Sequence, residues 1–310
     1  MAAVSLVELL QTVALAHEAG PVEGPLARAW NVDPALLIPV ALAAWFYARG
    51  LRRWDERTRE HPWWRTFFYA SGLALLLVAI ESPLDRLAEH HLSMHMVQHV
   101  LLMTIAVPLI LLGAPTTPTL RGMPRWLRLG VIRPLARRTP VRLAYRWGTH
   151  PALAIAAMSA VLWLWHIGPG WYDAALRRPL LHDLQHISLV GTAWLFWWNV
   201  IDPKPLRSRL PYIPRLLYIF AASVPQQFLG VMFTFAEHPL YQTYADAAPI
   251  LALSARDDQV LGGLIMWVPG GMLLLGAMGI VFAIWAYKSE QAQRALEAER
   301  ARERAAAAAR

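Results

Sequence analysis

Seven separate apolar runs constrain this chain more than any other feature. They cover roughly residues 33–49, 66–81, 92–113, 151–168, 183–201, 214–235 and 260–287. A bilayer core ~30 Å thick takes about 20 apolar residues per helix. Only helices and closed barrels satisfy every backbone polar group in hydrocarbon. The runs therefore predict an all-α polytopic membrane protein, a seven-helix transmembrane bundle. The fourth run is short, opening after Pro151 and ending at Gly168, Pro169 and Gly170. The fifth is the least uniform, because His182, Asp183, Gln185 and His186 occupy its start.

Charge agrees with a bilayer environment. Charged side chains make up 16% of the 310 residues and apolar ones 56%, against ~25% charged in an ordinary soluble domain. Disordered and soluble nucleic-acid-binding classes are thereby excluded, despite 29 basic residues against 21 acidic. All the basic residues except Lys204 and Lys288 are arginine, the mark of compositional bias rather than of a phosphate-binding patch. Their distribution carries the orientation, since short cytoplasmic loops retain Lys and Arg. The first, third and fifth loops and the C-terminal tail hold 24 of the 29; the other side holds only Arg28, Arg86, Arg177, Arg178 and Arg256. The expected topology has the N-terminus outside and the C-terminus inside.

Three regions follow. Residues 1–32 form an extracytoplasmic N-terminal segment, 33–287 the seven-span domain and 288–310 a cytoplasmic helical tail. The apolar stretch Val4–Ala16 has no basic residue before Arg28. It lacks the positive n-region of a secretory signal and reads as an exposed segment. The tail is rich in helix formers of mixed charge and extends the last helix.

Cysteine is absent. Any bound metal must then use His, Met, Asp, Glu or backbone oxygen. Nine of the eleven histidines fall in outer loops or outer halves of helices under this topology; only His61 and His150 lie on the inner side. Ionisable groups inside a span are costly and face the bundle interior, so a one-sided cluster marks a functional site.

The third run opens HHLSMHMVQH, with His91, His95 and His99 at successive i,i+4 spacings and Met103 one turn further. Residues four apart share a helix face, so His95 and His99 can hold one ion together. The fifth run repeats the pair at the same depth with His182 and His186 in HDLQH. A lone HxxxH is more often structural; two at matching depth point to a metal or cofactor. His166 ends the fourth span in WLWHIGPGWY, as a ligand or as a donor that orients one. On the seventh run, Asp258, Gly262 and Met266 align at i, i+4 and i+8. Asp258 reads as a site residue, and Met266 as a thioether candidate whose competing role is packing. Pro269, Gly270 and Gly271 then predict a break whose freed carbonyl a neighbouring helix satisfies. Gln226 and Gln227, beside Pro225 in the sixth run, need partners within the bundle.

Four motifs carry a family resemblance. They are ESPLDRLAEHHLSMHMVQHVLLMTIAVPLILLGAP at 81–115, LWHIGPGWYDAAL, HDLQHISLVGTAWLFW and DDQVLGGLIMWVPGG. In this order they resemble the integral-membrane, caa3-type CtaG family of cytochrome c oxidase assembly proteins, over roughly residues 35–287. The resemblance implies a polytopic protein of the cell inner (cytoplasmic) membrane that helps mature a haem-copper oxidase. It implies oxidase subunits as partners and copper as the metal handled at the outer face. It points to His95, His99, His166, His182 and His186, with Asp258 beside them, as the polar core. Imidazole with thioether suits copper, while imidazole with carboxylate equally suits zinc or iron. Two other readings fit the residues: a membrane metalloenzyme of di-iron type, and a haem protein with one axial histidine from each of two helices.

Overall fold

The computed structural model describes residues 29–55, 61–168, 170–203, 205, 208 and 210–309. The stretch Val4–Ala16 and most of the expected N-terminal segment lie outside them.

Helices cover all seven apolar runs, and no strand occurs among the described residues. The order begins α1 (Pro34–Arg52), α2 (Trp63–Glu81), α3 (Pro83–His90) and α4 (Leu92–Val100). A π-helical turn, Leu101–Ala106, joins α4 to α5 (Val107–Leu112). The arginine-rich connection folds as α6 (Thr116–Gly122), a second π turn (Leu127–Ile132), α7 (Arg133–Arg137) and α8 (Thr139–Gly148). Then come α9 (Pro151–Ile167), α10 (Trp171–Arg177), α11 (Pro179–Ile201), α12 (Tyr212–Phe235) and α13 (Gln242–Asp246). The chain ends with α14 (Ala255–Trp267) and α15 (Pro269–Ala308), the latter running on through the charged tail.

Local signals explain where these helices begin. Asp33 caps α1 by accepting from the Ala35 amide at 2.8 Å, ahead of Pro34. Ser82 caps α3 and Ser254 caps α14 in the same way. A side-chain oxygen there satisfies an amide that the helix cannot. Proline at the first helical position opens α9, α11 and α15, where the missing N–H costs nothing.

By length and composition five helices can cross a membrane: α1, α2, the continuous run Leu92–Leu112, α12, and Ala255–Ala308. The fourth and fifth runs fall short for the reasons visible in their sequence. α9 has 17 residues and passes only together with α8, from which it bends by 76°. α11 has 23 residues, but its polar first turns dilute its apolar character.

The break between α14 and α15 falls at Val268 and Pro269, as expected from the Pro-Gly-Gly run. Gln226 Nε2 donates across it to the Met266 carbonyl at 3.2 Å, so a neighbouring helix serves the freed acceptor. Trp163 Nε1 donates to the Pro225 carbonyl of α12 at 3.2 Å. In the π turn after His99, Trp197 Nε1 donates to the Met103 carbonyl at 2.8 Å. Side chains of neighbouring helices thus serve these backbone carbonyls inside the bundle, as an apolar medium demands.

Besides a cluster of Tyr47, Leu51, Trp54, Tyr69 and Ile110, two apolar clusters fill the bundle. One packs Phe196, Trp197, Tyr218 and Ile219 between α5, α11 and α12. The other packs Leu92, Met96, Leu162, Tyr172, Phe233 and Met266 directly around the histidines. α12 and α14 approach through Gly230 and Gly263: a Cβ on Gly263 would stand 2.6 Å from the Gly230 carbonyl oxygen. Small residues are what let two backbones come this close.

Candidate metal centre

Three elements deliver imidazoles to one place, and a fourth adds a phenol ring. His95 and His99 stand one turn apart on α4, their ring centroids 4.5 Å apart. His182 and His186 repeat this on α11 at 4.4 Å. Across the helices, His95 lies 5.4 Å from His182 and 5.7 Å from His186, and His99 lies 5.5 Å from His186. His166, at the end of α9, comes within 5.6 Å of His99. The fourth element is α10, whose Tyr172 ring sits 5.3 Å from both His95 and His166.

His95, His99 and His186 form the tightest set. One ring nitrogen from each lies within 4.8 Å of the other two. Ligand bonds of about 2.1 Å put two donors at most ~4.2 Å apart across an ion, so small rotations bring the three together. His95, His99, His166 and His186 are all buried, while His182 is half-buried. Among the described residues His95 Nε2, His166 Nε2 and both nitrogens of His99 have no hydrogen-bond partner. Buried polar atoms left without partners are rare and costly. Lone pairs converging from separate helices are what a borderline-soft cation would satisfy. The donor set therefore fits a metal ion.

Hydrogen bonds fix which nitrogen faces the centre. The Tyr244 hydroxyl donates to the Ala88 carbonyl at 2.9 Å, so its oxygen can only accept from His95 Nδ1, 2.8 Å away. The proton of His95 thus sits on Nδ1 and the lone pair on Nε2. His166 reaches the same state by donating from Nδ1 to the Leu162 carbonyl at 2.7 Å. Such outer partners set tautomer and ring direction at metal centres. Tyr241 completes the roof, donating to the His166 carbonyl at 2.9 Å and stacking on Tyr172 at 4.1 Å. Burial pushes the phenols of Tyr172, Tyr241 and Tyr244 well above the usual tyrosine range. Protonated, Tyr241 and Tyr244 donate hydrogen bonds to the His166 and Ala88 carbonyls.

The remaining sequence candidates have other partners. Asp258 accepts from the Leu92 amide at 2.6 Å, from the Ser93 amide at 3.4 Å and from the Ser93 hydroxyl. His91 Nδ1 lies 3.4 Å from the same carboxylate. Asp258 therefore caps α4 from a different helix. Residue 91 is extended, with φ −134° and ψ 121°, and stands before α4 rather than on it. Hence His91 does not share the face of His95 and His99, and its Nε2 accepts from the Ile250 and Leu251 amides at 3.1 and 3.0 Å. Met266 packs in the apolar cluster beside Leu92 and Met96. A ~200 Å³ cavity lined by His91, Tyr244 and Asp258 opens next to this cap.

Sequence reading passed over Tyr244 and Gln98. Gln98 donates to the Ala79 carbonyl at 2.8 Å and to Asp85 at 2.7 Å, tying α2, α3 and α4 together behind the histidines. Glu81 accepts from the Asp33 amide at 3.0 Å and fastens the start of α1 to the same corner. The one available signal for Gln98 was its place in the HHLSMHMVQH motif, one residue before His99.

The chain is 26% identical over 246 residues to an uncharacterized protein of Mycobacterium bovis, covering 77% of this chain and 36% of that one. An uncharacterized protein of Mycobacterium leprae is 21% identical over 272 residues, covering 83% and 39% respectively. The chain thus spans little more than a third of the length of the curated relatives it matches. No solved structure matches it. Residues 45–288 match the family described as cytochrome c oxidase caa3 assembly factor, Caa3_CtaG, a match that takes in every helix contributing to the histidine cluster. With well over half of its length matched, this membrane protein belongs to the Caa3_CtaG family.

Proposed function

We propose that the protein is a seven-span assembly factor for cytochrome c oxidase that binds copper through His95, His99 and His186 and passes it to an oxidase subunit. His166 and His182 flank this set, Tyr244 orients it and Asp258 holds α4 in place beside it. The bundle sits in the cell inner membrane with the histidine end outside and the arginine-rich loops inside. The observation that carries the reading is the convergence of buried imidazoles on one point, with His95 Nε2 and both ring nitrogens of His99 having no hydrogen-bond partner among the described residues. Copper is the cargo here. Imidazole donors without thiolate hold it while still allowing its release.

Metal analysis of the purified protein tests this directly. Copper is expected at one or more per chain, falling below a tenth of that in both His95→Ala and His186→Ala, with oxidase copper content falling in cells carrying either variant. Wild-type protein without copper after copper-replete growth, or full copper in both variants, defeats the proposal. An intense Soret band in the wild type would instead assign the histidines to haem.

A further inference from the structure

The connection between α5 and α9 is built unlike the rest of the molecule. Between residues 124 and 148 there are seven arginines and no acidic residue. No residue from Met123 to Gly148 is buried, although the stretch is helical almost throughout. Trp126, Leu135, Leu143, Tyr145 and Trp147 are all exposed, Trp126 by 70% and Trp147 by 58%. Arginines and large apolar groups thus face outward together, and the rest of the fold covers neither.

Geometry says where such a segment lies. α8 bends from α9 by 76°. With α9 crossing the bilayer, a helix at that angle runs close to the membrane plane. On α8, Arg142 and Arg146 stand one turn apart on one face, and Val141, Leu143, Tyr145 and Trp147 flank them on both sides. This is the pattern of a helix embedded at the headgroup level, where long arginine stems bury their methylenes and raise their guanidinium groups to the phosphates.

We infer that residues 124–148 form an in-plane arm that binds anionic phospholipid headgroups. Charge complementarity selects the lipid: all seven arginines but Arg128 are exposed, and none of the seven forms an ion pair among the described residues. Zwitterionic lipid would accept the apolar side chains but would not compensate the charge. The inference rests on reading α9 as a membrane span and is independent of the metal centre.

Hydrogen exchange on the full chain in nanodiscs tests it. The probes are pure phosphatidylcholine and phosphatidylcholine with 30% phosphatidylglycerol. Amides of 127–148 are expected to exchange at least about ten-fold more slowly with phosphatidylglycerol, since each arginine near an anionic surface contributes roughly five-fold. Replacing Arg137, Arg138, Arg142 and Arg146 together by Gln should abolish the difference, and replacing them by Lys should keep it. The same protection in both lipids, or full phosphatidylglycerol protection in the Gln variant, overturns the inference. So does protection that appears only when an acidic protein partner is added. A spin label on Trp147→Cys, unique because the chain has no cysteine, separates this failure from that of the span reading. A label at headgroup depth in both lipids without lipid preference refutes the lipid site alone. A fully aqueous label in both refutes the in-plane arm itself.

Discussion

Tyr244 controls His95 through a single hydrogen atom. Its hydroxyl proton is committed to the Ala88 carbonyl, so only the oxygen is left for His95 Nδ1. Tyr244→Phe removes that acceptor while keeping the ring. Copper affinity, measured by competition with a chelator, is expected to fall about 10- to 100-fold, with helical content unchanged. Unaltered affinity would show that His95 is oriented by packing alone. Asp258 answers a different question. Asp258→Asn puts an amide where the Leu92 and Ser93 donors now meet a carboxylate. A loss of about 3 kcal/mol in unfolding free energy is expected, read by denaturant titration in detergent, with copper stoichiometry retained. Loss of copper at full stability would make Asp258 a ligand. Both histidine pairs were legible in the sequence because i,i+4 spacing fixes a shared helix face. Tyr244 was not, since it meets His95 across 149 positions of chain. No local period encodes such a contact.

Among the elements, α14 carries the most consequence for its length. It packs on α12 through Gly230 and Gly263, and the carboxylate that caps α4 rides on it. Gly263→Val inserts side-chain volume where the nearest atoms belong to the Gly230 carbonyl and Thr234. It is expected to cost at least about 1–3 kcal/mol and to lower copper binding as well, because α4, packed on α14 at Gly262, is displaced when α14 moves. A Gly263→Val protein with unchanged unfolding midpoint and metal content would show that the two helices separate freely. The break after α14 was visible in advance as Pro269, Gly270 and Gly271, whereas the π turn below His99 was not. Proline removes a donor wherever it stands. A π turn depends on what a neighbour offers, here the Trp197 indole on α11. The weak span character of α9 and α11 was also visible, as a short run and a polar start.

For the whole molecule, charge and chemistry separate to opposite ends of the bundle. The absence of cysteine makes sidedness directly measurable, since any introduced thiol is unique. Asp246→Cys at the histidine end is expected to react with a membrane-impermeant maleimide in intact cells, and Arg294→Cys in the tail only after lysis. The reverse pattern would invert the topology and with it the side that the histidines face. Of the five clustered imidazoles only His182 is half-buried, while the other four are closed in by helices and by the tyrosine roof. Were an ion seated among them, as proposed, its dwell time would be set by how often the roof parts. On the proposed function, hand-over would then be a matter of kinetics more than of affinity: a recipient would have to lift the tyrosines, and a competing chelator in solution would wait for the same rare opening.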